Sequence, residues 1–171
     1  MKLETPLTFC ECARQQRYLL GLTQEQVAHA AGLSRRNLQK IEDGSRRNIM
    51  LVTCLSLARV VKLVVTAKPV GPDHVTKIEN PMVFARLAQT QRAALSLTQD
   101  QVADATGISP RNIQRIENGE NAGLDQILAV ARTLRLVITV NQVEHIPVPV
   151  LPREDEGPIM PPDLMVRWAR T

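Results

Sequence analysis

The chain contains its own sequence twice. Leu3 to Gly44 recurs as Ile78 to Gly119 at a constant offset of 75, and 22 of the 42 aligned positions are identical. Self-similarity over such a length marks a duplicated structural unit, so any fold proposed for one copy has to serve for both. The most similar stretch reads LTQEQVAHAAGLSRRNLQKIEDG in the first copy and LTQDQVADATGISPRNIQRIENG in the second.

The spacing inside that stretch is a packing specification. Counted from Gln24, the fifth residue is Ala28, the ninth Gly32, and the fifteenth and eighteenth Leu38 and Ile41; Ala103, Gly107, Ile113 and Ile116 answer them in the second copy. The alanine lets two helices cross at close range, the glycine takes a positive-φ turn between them, and the last two residues face the core from one side of the second helix. Thr23 with Gln26, and Thr98 with Gln101, have the form of a capping box, while Ser34 and Ser109 cap the next helix. Pro110 falls in the first turn of that helix, where its missing N–H is harmless. Gly44 and Gly119 close it. The pattern is that of a helix-turn-helix, present twice in register, and it points to duplex DNA as the partner.

The flanking segments complete each unit. A leading helix starts at a proline after Thr5 or Asn80, and a fourth helix runs through LVTCLSLARVV or LDQILAVARTL. Between the helix-turn-helix and that fourth helix the offset drops from 75 to 73, placing two extra residues of the first copy in a surface loop. KLVVTAK and RLVITVN then read as strands. A lone strand cannot satisfy its backbone, so Leu63 to Ala67 is expected to pair with Leu136 to Val140 about a pseudo-twofold axis; pairing with a second chain is the competing arrangement. The expected domains are residues 1–68 and 77–142, each a helix-turn-helix unit, joined by a linker over 69–76 and followed by a proline-rich tail over 143–171. The tail holds Glu154, Asp155 and Glu156, and its end places Leu164, Met165 and Trp168 on one side of a short helix, either docked on the body of the protein or serving as a partner anchor.

Charge is uneven. Residues 1 to 69 carry 11 Lys and Arg against 5 Asp and Glu, net +6, whereas residues 77 to 142 carry 7 against 6, net +1. Phosphate attraction is therefore expected mainly from the first copy. Aromatic residues are limited to Phe9, Phe84, Tyr18 and Trp168, which argues for an aliphatic core and against base stacking on single strands. Cys10, Cys12 and Cys54 are an odd set without a disulfide framework or a histidine at ligand spacing, so reduced thiols are expected, with neither metal nor cofactor. His29, His74 and His145 are scattered singly. With no nucleophile–base pair and no phosphate loop, the sequence reads as a non-enzyme. With no signal peptide and no apolar span, it reads as a soluble cytoplasmic protein without membrane contact.

The two stretches, with LTQxQVA, Gly, Ser, RN and IxxIExG in order, resemble the lambda-repressor-like (Cro and xenobiotic-response-element) family of bacterial and phage helix-turn-helix regulators, and the terminal strands resemble those of HipB-type antitoxins. The resemblance implies a mainly α fold: two tandem helix-turn-helix domains, each ending in a short strand of a small antiparallel sheet. It also implies that the second helix of the motif enters the major groove. Carried over by position, it makes Arg35, Arg36, Gln39 and Lys40 the base-reading face of the first unit and Arg111, Gln114 and Arg115 that of the second. Gln24, Gln99, Arg46 and Arg47 become phosphate contacts. Glu42 and Glu117 are explained equally by helix structure and by DNA contact. The implied function is a transcriptional regulator, a repressor reading two similar half-sites. The alternative is an antitoxin or antiactivator whose tail binds a protein through Leu164, Met165 and Trp168 while the helix-turn-helix units regulate its own promoter. A homodimer of intramolecular pseudo-dimers is compatible with either.

Overall fold

The structure is a computed structural model that describes residues 1–46, 48–71 and 74–143. Arg47, the proline-rich tail beyond Val143, and with it Leu164, Met165 and Trp168, lie outside the described residues. The first copy forms α1 (Pro6–Leu19), α2 (Gln24–Ala30), α3 (Arg35–Glu42), α4 (Leu51–Val60) and β1 (Leu63–Pro69). After β2 (Thr76–Lys77), the second copy forms α5 (Pro81–Ala94), α6 (Gln99–Thr106), α7 (Pro110–Glu117), α8 (Leu124–Thr133) and β3 (Leu136–Gln142).

Local chemistry sets the helix starts. The hydroxyl of Thr5 accepts from the Thr8 N–H at 3.3 Å, and the side chain of Asn80 accepts from the Val83 N–H at 3.1 Å, one turn into α1 and α5. Both expected capping boxes form: Thr23 and Gln26 exchange backbone-to-side-chain bonds of 2.8 and 3.2 Å, and Thr98 and Gln101 bonds of 2.8 and 3.1 Å. The turn glycines Gly32 and Gly107 both have φ of 69°, and an added Cβ would meet no atom within 4 Å. Glycine stands there for its backbone freedom and not for space. Phe9 and Phe84 are buried at equivalent places in an otherwise aliphatic core with Val27, Leu38 and Ile41 and their counterparts Val102, Ile113 and Ile116.

The strands join the copies within one chain. β1 and β3 run antiparallel from Leu63 opposite Gln142 to Pro69 opposite Leu136, each two residues longer than expected. The central pair is Thr66 and Thr139, which are equivalent residues of the two copies, and their hydroxyls lie 2.7 Å apart. A residue paired with its own counterpart marks a local pseudo-twofold axis. The ladder buries Leu63, Val65 and Ala67 of one strand with Leu136, Ile138 and Val140 of the other on the core side.

The sheet extends further than the sequence pattern indicates. Lys77 in β2, the leader of the second copy, pairs with Thr66 of the first copy's strand, giving the order β2-β1-β3. Symmetrically, Lys2 bridges to Thr139 of the second copy's strand. Leu3 N–H donates to Ile138 O and Ile78 N–H to Val65 O, both at 2.8 Å. Each copy thus lends its leading residues to the other copy's strand, and Leu3 and Ile78 are buried in doing so.

The thiols report this packing. Cys10 and Cys54 are buried, and burial pushes the Cys10 thiol up to about 11 and raises that of Cys54; Cys12 is only half-buried, and burial raises its thiol as well but leaves it open to reagent. Since the thiolate is the reactive form, Ellman's reagent at pH 8 should titrate Cys12 alone in the native protein. Cys10 and Cys54 should react only after denaturation; prompt reaction of all three would contradict this packing.

Candidate nucleic-acid interface

Each helix-turn-helix is held by one buried carboxylate. Arg17 at the end of α1 donates through Nε and Nη2 to the two oxygens of Glu42 at 2.6 and 2.8 Å, and through Nη1 to Leu22 O at 3.0 Å. Gln24, first residue of α2, donates from Nε2 to the same carboxylate at 2.9 Å. The second copy repeats the device: Arg92 meets Glu117 at 2.6 and 3.0 Å and Leu97 O at 2.9 Å, and Gln99 Nε2 meets Glu117 at 2.7 Å. The end of α3 or α7 is thereby tied to the first helix of its unit and to the start of the next. The side chains in the first pair are 6% and 4% exposed; in the second, Arg92 is 22% exposed. Hydrogen bonding to the carboxylates moves both guanidinium groups further toward their charged form. Glu42 and Glu117 are therefore internal struts. Sequence reasoning passed over Arg17 and Arg92, although an Arg and a Glu 25 residues apart in both copies were the available signal.

With Leu38 and Ile41 packed inward, α3 presents Arg35, Arg36, Gln39 and Lys40 to solvent; α7 likewise presents Arg111, Gln114 and Arg115 over Ile113 and Ile116. The structure therefore gathers the expected base-reading residues on one exposed face of each helix. Gln24 and Gln99 sit at the starts of α2 and α6, but their side-chain nitrogens are already committed to the struts. Pro110 stands where the first copy has Arg35.

The loops after α3 and α7 carry a difference that a linear alignment hides. Arg46 N–H donates to Lys40 O at 2.9 Å, and Glu120 N–H donates to Arg115 O at 3.0 Å, so Arg46 and Glu120 bond equivalent carbonyls, the first copy's turn being one residue longer. A cation in one copy is replaced by an anion in the other. Glu120 accepts from Arg115 Nε at 2.6 Å. In the first copy the nearby carboxylate, Asp43, turns to its own loop, accepting from Ser45 N and Oγ at 2.9 and 2.6 Å, and those bonds hold it below its ordinary carboxylate range.

These loops lead to a second contact on a pseudo-twofold relation. Met50 bridges to Gly123, its own counterpart, while Leu51 N–H donates to Ala122 O at 2.9 Å and Leu124 N–H to Ile49 O at 2.7 Å. A Cβ at Gly123 would press on the side-chain oxygens of Asp125 and Asn48, which would have to move aside. The two-residue insertion of the first copy thus lies in the loop that enters this contact.

The family model described as helix-turn-helix matches the chain twice, over residues 14–63 and 89–137, together more than half of its length. The chain belongs to the lambda-repressor- and Cro-like helix-turn-helix family. It is a DNA-binding transcriptional regulator with two such units in tandem. Comparison with curated proteins and with solved structures returned no match. Among the described residues no helix is long and apolar enough to cross a membrane, and no group of three or more His, Cys, Asp or Glu is placed to hold a metal ion.

Removing one partner of a buried ion pair leaves the other charge uncompensated, at a cost of about 3–5 kcal/mol. Glu42→Ala should lose stability on that scale in urea unfolding followed by circular dichroism. Glu117→Ala should lose less, because Arg92 can reach water, and Arg17→Met with Glu42→Leu should recover much of the loss. Equal, small effects from both single substitutions would show that the struts do not hold the units.

Proposed function

We propose that the protein is a sequence-specific repressor in which one chain reads two similar half-sites of duplex DNA. The observation that carries this reading is the pairing of residues with their own counterparts, Thr66 with Thr139 and Met50 with Gly123. An axis relating the two units puts α3 and α7 at one level along it with equivalent faces exposed, as a dimeric helix-turn-helix protein does with two chains. Repression requires only that the site be occupied.

In this reading Arg36 and Lys40, with Arg35, enter the major groove from the first unit, Arg111 and Arg115 from the second, and Gln39 and Gln114 lie beside them. An arginine spans guanine O6 and N7, and glutamine addresses adenine. Arg46 and Arg47 neutralise phosphate, and Gln24 and Gln99 abut the backbone at the helix starts. Arg46 facing Glu120 and Arg35 facing Pro110, copy against copy, make the first unit the stronger contributor to affinity.

Selection from random duplexes should return an imperfect inverted repeat with half-site centres about 34 Å apart or a multiple of it. Arg36→Ala should cost about 1–3 kcal/mol and relax one base position, whereas Arg46→Ala should weaken all duplexes alike and reduce the salt slope by about one. Affinity that hardly changes between low and physiological salt, or selection of unrelated sequences, would overturn the proposal.

A further inference from the structure

The second unit carries an arrangement that the first one lacks. Arg115 and Lys40 occupy the same place on their helices, yet Arg115 is held through Nε by Glu120 at 2.6 Å, and Lys40 has Arg46 bonded to the equivalent carbonyl. Both members of the Arg115–Glu120 pair are about half exposed, 53% and 48%, so burial does not force them together. The bond uses one of the five guanidinium N–H groups and leaves the terminal fork of Nη1 and Nη2 free. That fork matches the two acceptors on the major-groove edge of guanine. A lysine in the same place is a point charge on a flexible stem and has no such fork.

We infer that Glu120 is a positioning residue that aims Arg115 at the guanine of a G·C pair, so that at this one position the second unit discriminates between base pairs where Lys40 of the first does not. This rests on the DNA-reading function proposed above. Fixing Nε lowers the number of side-chain conformations that must be given up on reading the base, and the carboxylate repels phosphate, so Arg115 is steered away from the non-specific contact open to a free arginine. Lys40 has no such restraint among the described residues, since Asp43, the carboxylate near it, is turned to Ser45. The operator is then asymmetric: the half-site under α7 demands a G·C pair where the half-site under α3 tolerates other pairs, and the chain binds with one polarity.

The test measures binding to the selected duplex and to versions carrying each base pair at the position facing Arg115, for the full-length protein and for Glu120→Ala, Glu120→Gln and Arg115→Ala. Both Glu120 variants remove a negative charge and should bind random duplex more tightly. Glu120→Ala should also lower the preference for G·C at that one position by about tenfold, the order expected for a bidentate contact. Glu120→Gln keeps an acceptor oxygen for Nε and should retain most of the preference, and Arg115→Ala should abolish it. A preference unchanged in Glu120→Ala, or one that survives Arg115→Ala, overturns the inference. A wild-type protein that selects no duplex at all overturns instead the function on which it rests.

Discussion

The structure depends on the need of each terminal strand for a partner. A strand of seven residues, β1 or β3, exposes donors and acceptors that one copy alone cannot satisfy. Pairing the two strands within the chain meets that need, and because they are antiparallel copies of one sequence, the pairing generates a twofold relation without a second molecule. The leading residues of each copy then cover the outer edge of the other copy's strand. The meeting of Met50 with Gly123 extends the same relation toward the loops behind the recognition helices.

A second constraint acts inside each unit. The recognition helices are short, eight residues each, and such helices owe little stability to their own hydrogen bonds. Glu42 and Glu117, tied to the first helix of the unit and to the start of the next, place a fixed carboxylate under the reading face without entering it. The exposed arginines can then differ between copies while the scaffold beneath them stays the same, as the exchange of Arg35 for Pro110 illustrates.

Much of this was legible in the sequence because the signals are local. Capping boxes, turn glycines and inward-facing Leu38 and Ile41 act within one or two turns of their own position, and each took the conformation its residues dictate. The strand pairing was legible because duplication leaves few partners. The exchange of leading segments was not, since Lys2 and Lys77 carry no pattern that names a strand in the other copy. The struts join residues 25 apart, and only the recurrence of Arg17 and Glu42 as Arg92 and Glu117 could have exposed them. The opposition of Arg46 and Glu120 was hidden by the change of offset inside that loop, so equivalence there is defined by the carbonyls of Lys40 and Arg115 and not by counting.

The central claim is that one chain performs the task of a dimer. Sedimentation velocity of the complex with a duplex bearing both half-sites tests it most directly, with protein and duplex labelled separately over a wide range of protein concentration. The account predicts one chain per duplex at every concentration that saturates the site. Two chains per duplex, with each chain covering only one half-site, would contradict it.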